Sequence, residues 1–183
     1  IAGLGAGATV SSKDLDVLLK NTKIPFFGVD SGRALVPDSH ECSLGIGYLS
    51  LNKSAQRVNE SDVVLLLGVK LDYQLGFGGS PPFNKDAKII CVDPDIEQLN
   101  RSRTVSLIVN SDVGPYVKLM EQKSAGIKWD NLEWLKSLKN TKKNYIDEMN
   151  KLSDGELPMH PMDVSLSIQE NLDDDTFVVF DGG

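Results

Sequence analysis

A doubly wound α/β domain with a parallel, Rossmann-like sheet is the fold predicted for this chain, and three observations predict it. Short apolar runs alternate with stretches of helical periodicity. The run VVLLLG at 63–68 is apolar throughout, as a strand covered on both faces must be. Several runs end in a glycine or a carboxylate, the residue types found where such a sheet meets its ligand. Strands separated by helices imply right-handed crossovers and therefore parallel neighbours. The expected strand order is 3-2-1-4-5, with room for a sixth strand and with linker helices after the sheet.

In order along the chain, IAG at 1–3 reads as the tail of a first strand. A helix follows from about Ser12, with Ser11 or Ser12 as N-cap, Asp14 in the first turn and Leu15, Leu18 and Leu19 as its apolar stripe. PFFGV at 25–29 is the second strand. The polar loop DSGRALVPDSHE leads into a helix expected over 43–59, where Leu44, Tyr48, Leu51 and Ala55 recur at helical spacing. Residues 63–67 form the third strand. After the loop GFGGSPPFNKD, KIICV at 88–92 is the fourth, closed by Asp93. A short helix at 95–99 precedes a fifth strand at 105–109, and Asp112 starts a helix that runs through Glu121.

Beyond residue 124 the pattern changes. Residues 128–152 read as one long amphipathic helix carrying Leu135, Leu138, Tyr145, Met149 and Leu152 on one face, with a break admissible at 140–141. Its lysines form a solvated face. SDGELPMHP is a linker. Residues 162–172 are a further helix, and 176–180 are expected to be a buried strand. The resulting organisation is a nucleotide-binding-type domain at 1–125, a connecting helix and linker at 126–157, and the start of another domain at 158–183. The chain opens on one strand end and stops on another, which reads as a piece of a longer enzyme.

Of 183 residues, 40% are apolar and 25% charged, the balance of a soluble globular protein. A formal charge of −7 argues against a nucleic-acid partner, which needs a basic face. It leaves room for a mononucleotide or dinucleotide held by a few amides. Two cysteines, Cys42 and Cys91, are too few for a disulfide framework, and Cys91 lies in an apolar strand; a reduced, cytoplasmic setting is expected. No apolar run reaches membrane-spanning length, so no membrane partner is expected.

The candidate site residues sit at strand ends. Gly3 and Gly5 allow a tight turn and close approach to a phosphate, or serve a plain strand-to-helix turn; the third glycine of a dinucleotide fingerprint is missing. Gly68, Lys70 and Asp72 follow the 63–67 strand: the lysine can meet a pyrophosphate and the carboxylate a hydroxyl, or the two form a surface ion pair. Asp93 can accept ribose hydroxyls, or cap the helix that follows. Asp112 is equally a ligand contact or an N-cap. Arg33 either reaches a phosphate or lies in solvent, and His40 in its turn reads as a structural hydrogen-bond donor. There is no His/Cys spacing for a metal and no nucleophile with an adjacent base; Asp173, Asp174 and Asp175 read as a loop.

Taken together, these blocks resemble the central domain of thiamine diphosphate-dependent enzymes of the acetohydroxyacid (acetolactate) synthase type. GRALVPDSHECSLG looks like that family's G-x-G-x-x-P-x-x-H-x-x-x-x-G segment. ESDVVLLLGVKLDY looks like its A-D-x-x-x-x-x-G-A-R-x-x block, KIICVDPD like its K-I-I-x-I-D-x-D strand, and VNSDV like its G-D-V. The spacing of the blocks and the loop LGFGGSPPFNKDAK look more like the 2-hydroxyacyl-CoA lyase and oxalyl-CoA decarboxylase branch. The resemblance implies FAD or ADP in this domain. Gly3 and Gly5 would approach the pyrophosphate, and Gly68, Val69 and Lys70 would lie along the nucleotide with Asp72 nearby. Asp93 would take the ribose hydroxyls, and Asp112 with Val113 would meet the adenine. Three positions depart from the pattern: Lys70 stands for arginine and lacks its bidentate fork, Ala34 stands for the second loop glycine, and Ser111 for the glycine of G-D-V.

The resemblance also implies that thiamine diphosphate and Mg2+ serve the intact enzyme from sites outside this fragment, residues 158–183 being the start of a truncated pyrophosphate-binding domain. The expected activity is acetolactate synthase-like, on a 2-keto acid. The alternatives are an acyl-CoA lyase or decarboxylase, a spacer and subunit-contact domain that binds no nucleotide, and a deoxyhypusine synthase- or sirtuin-like NAD-binding domain, disfavoured because the sequence shows no catalytic lysine or zinc-cysteine set. The expected assembly is a homodimer or homotetramer.

Overall fold

Ala2 is the residue around which the sheet is organised. Its backbone bridges Gly28 on one side and Leu67 on the other, both in parallel. Ala2 N donates to Phe27 O (3.0 Å), Val29 N to Ala2 O (2.8 Å) and Gly3 N to Leu67 O (3.0 Å). The computed structural model describes residues 1–100, 105–173 and 175–179. Outward from Ala2, β1 (Phe26–Gly28) pairs with β2 (Ser43–Ile46) on one flank. On the other, β3 (Val63–Leu67) pairs with β4 (Lys88–Asp93), and β4 with β5 (Leu107–Asn110). Every pairing is parallel. Counting the Ala2 segment first, the order across the sheet is 3-2-1-4-5-6.

That order corrects two expectations together. Residues 43–59 are not one helix: their start is β2, which takes the outer position, and the 63–67 run lies beside the central segment instead. Gly45 and Gly47 each cost a helix about 1 kcal/mol, whereas an extended 43–46 satisfies an open strand edge. Phe26 N donates to Cys42 O and Gly47 N to Gly28 O, both at 2.9 Å. Asn52 then reverses the chain: its Nδ2 donates to Leu44 O (2.9 Å) and Ile46 O (2.7 Å) while its Oδ1 caps α3 (Lys53–Gln56) through Ser54 N.

A second correction concerns residues 4–9, expected as a turn. They form a short helix, α1 (Leu4–Thr9), before α2 (Ser12–Thr22), whose N-cap is Ser11 as expected. α4 (Ile96–Asn100) is capped by Asp95, whose Oδ1 accepts from Glu97 N (3.0 Å) and Gln98 N (3.1 Å). α5 (Val113–Ser124) starts after Asp112, whose side chain makes no cap bond.

Alternation along β3 and β4 divides the core between the two faces of the sheet. Val64, Leu66, Ile89 and Cys91 pack with Val58, Leu75, Phe83 and Leu99. Leu67 and Val92 belong to the other cluster, with Leu15, Leu18 and Leu19 of α2, Val113 and Val117 of α5, and Leu135 and Leu138. Both faces are covered, which is why these strands read as continuous apolar runs.

The chain divides into two compact units, Ile1–Lys142 and Lys143–Gly183. α6 (Leu132–Asn150) is continuous through residues 140–141: Thr141 Oγ1 donates to Ser137 O (3.2 Å) and accepts from Arg57 Nη1 (2.8 Å). In the second unit, α7 (Pro161–Glu170) opens on a capping box in which His160 Nδ1 accepts from Met162 N and Asp163 Oδ2 from His160 N. The buried strand expected at 176–180 is not formed over Thr176–Val179. Phe177 is 98% and Val179 92% exposed, and among the described residues no strand runs beside them to pair with. Phe180 lies outside the described residues. Among the described residues no helix is long and apolar enough to cross a membrane.

Candidate functional site

The carboxyl ends of the Ala2 segment, β1, β3 and β4 open on one cleft of about 390 Å3, within the ~300–1,000 Å3 usual for small-molecule sites. Of the residues singled out in the sequence, Gly3, Gly5, Gly68, Val69, Lys70, Asp72 and Asp93 all line it. Asp112 and Val113 do not: Asp112 is exposed ahead of α5, and Val113 is buried in the core. Six lining residues were not among the predicted ones: Leu4, Ala8, Val29, Asp30, Gln74 and Leu75. Asp30 carried a legible signal. It is an acid directly after the second strand, where sheets of this type place a ribose acceptor about 20 residues past the glycines.

The floor of the cleft is bare backbone, and Gly68 makes it so. Its φ is +58°, and a Cβ there would lie 2.5 Å from Ala6 N and 2.6 Å from Gly5 Cα. Gly68 N continues the ladder to Val92 O (2.9 Å), and Gly68 O accepts from Gly5 N (3.2 Å). The start of α1 is thereby seated on the end of β3. Since Gly3 N donates to Leu67 O and Gly5 N to Gly68 O, neither amide is free for a phosphate in this arrangement. What the two glycines supply is proximity.

The polar groups stand on the walls. Lys70 is exposed, and its ammonium has no hydrogen-bond or ion-pair partner among the described residues, so the surface ion pair with Asp72 is not made. Asp72 uses Oδ1 to accept from Gln74 N (2.9 Å), which begins the turn at Tyr73–Gly78. Asp93 uses Oδ1 to accept from Asp95 N (2.9 Å); the cap of α4 is Asp95. Asp30 has φ +48°, and its Oδ1 accepts from Tyr48 Oη at 2.5 Å. That hydrogen bond raises the Tyr48 phenol above its ordinary range.

Other candidates fall outside the cleft. His40 is nearly buried: Nδ1 accepts from Cys42 N (3.0 Å), and Nε2 lies 3.2 Å from Asp16 Oδ1. Arg33 pairs with Asp38 at 3.2 Å in solvent. Burial pushes the thiols of Cys42 and Cys91 up to about 11, which removes them as nucleophiles near neutral pH. Among the described residues no group of three or more His, Cys, Asp and Glu is placed to hold a metal ion.

The family described as "Thiamine pyrophosphate enzyme, central domain" matches residues 1–120. The chain belongs to that family. It is 27% identical to 2-hydroxyacyl-CoA lyase 1 of Mus musculus over 186 residues, 100% of this chain and 31% of the relative. It is also 27% identical to the acetolactate synthase large subunit of Mycobacterium tuberculosis over 167 residues, 91% of this chain and 28% of that protein. Among solved structures, the thiamine diphosphate-dependent 4-hydroxybenzoylformate decarboxylase of Rhodococcus jostii aligns with a TM-score of 0.58. That alignment is at 16% identity and covers 70% of this chain and 24% of that one; it speaks for the fold alone. The chain spans about a third of the length of these curated lyases.

Proposed function

We propose that the cleft holds an adenine nucleotide, ADP or FAD, and that this thiamine pyrophosphate-family domain serves an enzyme that makes or breaks a carbon–carbon bond beside a carbonyl. The observation that carries the nucleotide reading is the convergence of Gly68, Lys70, Asp72 and Asp93 on one cleft at the carboxyl ends of parallel strands. Lys70 is placed to meet a diphosphate, and Asp93 keeps one carboxylate oxygen outside its own turn for ribose hydroxyls. Thiamine diphosphate supplies the carbanion chemistry when bound.

Between the two activities, cleavage of a 2-hydroxyacyl-CoA is supported by the lyases' match over 100% of this chain and by the loop at 76–88. Acetolactate synthesis from a 2-keto acid is the second reading, supported by the synthases' 91%. A homodimer or homotetramer in the cytoplasm completes the reading. The occupied amides of Gly3 and Gly5 favour the competing view of a spacer domain with no nucleotide.

The test is to denature the purified protein and chromatograph what it releases. Near-stoichiometric ADP or FAD is expected. No adenine nucleotide released, together with no heat on titration of either ligand, would leave the spacer view standing. With thiamine diphosphate and magnesium added, the full-length enzyme is expected to turn over 2-hydroxyacyl-CoA; turnover of pyruvate alone would return the assignment to acetolactate synthesis.

A further inference from the structure

Within the first unit, α6 contributes residues 132–142, and only Leu135 and Leu138 of that stretch are buried. Beneath it, with Trp134 and Leu138 on one side and Leu15, Leu18, Phe27 and Val58 on the other, packing leaves about 90 Å3 unfilled. Side chains beside a void lose dispersion partners, so this apolar contact is weaker than a close-packed one. What ties the helix down is polar and centres on one guanidinium. Arg57 meets Glu60 with a two-pronged fork, Nε to Oε1 and Nη2 to Oε2, each at 2.7 Å. Its Nη1 donates across to Ser137 Oγ (3.0 Å) and Thr141 Oγ1 (2.8 Å) on α6. Glu60 Oε2 also accepts from Trp134 Nε1 (3.1 Å). Positions 134, 137 and 141 share one face of a helix, so the Arg57–Glu60 pair grips that face along its length. Two further ties complete the set: Ser54 Oγ donates to Leu138 O (2.9 Å), and Asn131 Nδ2 to Thr22 O (2.9 Å).

Ties made through side-chain tips fail differently from a sheet ladder. β4 is hydrogen-bonded on both sides, to β3 and β5, and the sheet here is covered on both faces, so these strands open only when the domain does. α6 makes its backbone hydrogen bonds internally, and its release breaks none of the sheet's. The latch is also within reach of water: the Arg57 side chain is 26% and that of Glu60 42% exposed, so solvent can replace what the pair gives up. Once lifted, a helix of this length protects its own amides poorly.

We propose that residues 132–142 are a releasable strap: Arg57, held in position by Glu60, is its latch, and on release the helix lifts away and uncovers the apolar face of Leu15, Leu18, Phe27 and Val58 while the sheet stays folded. The inference does not depend on what the cleft binds. Hydrogen–deuterium exchange of the whole protein under native conditions, read peptide by peptide, tests it on wild type, Arg57→Ala, Arg57→Lys and, as a control on the same helix, Lys136→Ala. Lys136 pairs with Glu133 of its own helix (2.7 Å), so its loss leaves the latch intact. In the wild type, amides at 135–142 should exchange at least about tenfold faster than those of β3 and β4. Arg57→Ala should speed exchange in α6 by about tenfold or more, the factor for hydrogen bonds made by a charged group, and leave β3 and β4 unchanged. Arg57→Lys, which keeps the charge and loses the fork, should fall between the two. Equal protection of α6, β3 and β4 in the wild type would overturn the proposal, because the helix would then open only with the domain. So would Arg57 variants that accelerate all three elements alike, or a Lys136→Ala protein that matches Arg57→Ala.

Discussion

Gly68→Ala is the substitution on which the architecture of the cleft can be judged. The new methyl would sit 2.5 Å from Ala6 N, 2.6 Å from Gly5 Cα and 2.7 Å from Gly5 C, all backbone atoms of α1 that no rotamer change can clear. An L-residue at φ +58° adds about 1–2 kcal/mol of left-handed strain. Overpacking against a fixed neighbour adds about 1–3 kcal/mol, and displacing α1 sacrifices the Gly5 N to Gly68 O bond, worth about 1 kcal/mol. The total loss is therefore about 3–6 kcal/mol without any ligand. Gly126 is the internal control: its φ is +78°, and nothing lies within 4 Å of the position its Cβ would take. Gly126→Ala should cost only the strain, about 1–2 kcal/mol. Urea unfolding of the two variants beside the wild type measures the difference. Equal losses in the two would show that α1 is not seated on the end of β3, and the account of the cleft floor would fail.

Three further outcomes follow from the same structure. Phe83, 2% exposed and packed with Val64, Leu66 and Ile89, anchors the loop after β3; Phe83→Ala should cost about 3–5 kcal/mol by denaturant titration, and a loss under about 1 would contradict its burial. The buried thiols of Cys42 and Cys91 release their protons only near pH 11, whereas in the unfolded chain they do so in the ordinary thiol range. Between those limits the unfolded state binds fewer protons. Stability should then fall with rising pH by roughly 1.4 kcal/mol per unit for each thiol, and should be unaffected by them below that range. Cys91→Ala should flatten the decline; an identical slope would refute it. Asp93→Ala should weaken adenine-nucleotide binding by about 1–3 kcal/mol in a calorimetric titration, and unchanged affinity would remove Asp93 from the site.

How far the chain could be read in advance depended on the range of the interaction concerned. VVLLL at 63–67 and KIICVD at 88–93 were legible because burial on both faces leaves a local mark, an unbroken apolar run. Ser11 was legible as a cap because its partner, Asp14 N, is three residues away. The cleft residues Gly68, Lys70, Asp72 and Asp93 were found because parallel strands all end on one side, so proximity in space follows from position along each strand.

The remainder was settled by partners distant in sequence. Leu44, Tyr48, Leu51 and Ala55 have helical spacing, but the open edge of β1 claims residues 43–46 as a strand, and no window within 43–59 contains that edge. The short helix at Leu4–Thr9 exists where Gly5 can lie against Gly68, more than sixty residues further on. Asp30 meets Tyr48 only because β2 runs parallel beside β1 and brings the two strand ends together. Apolar periodicity and capping chemistry act between residues a few positions apart, so this sequence announces most of its strands and helices and the side of the sheet on which the cleft opens. Edge pairing, the floor of the cleft and the Tyr48–Asp30 contact join residues far apart in the chain, and they come into being only when the sheet closes around Ala2.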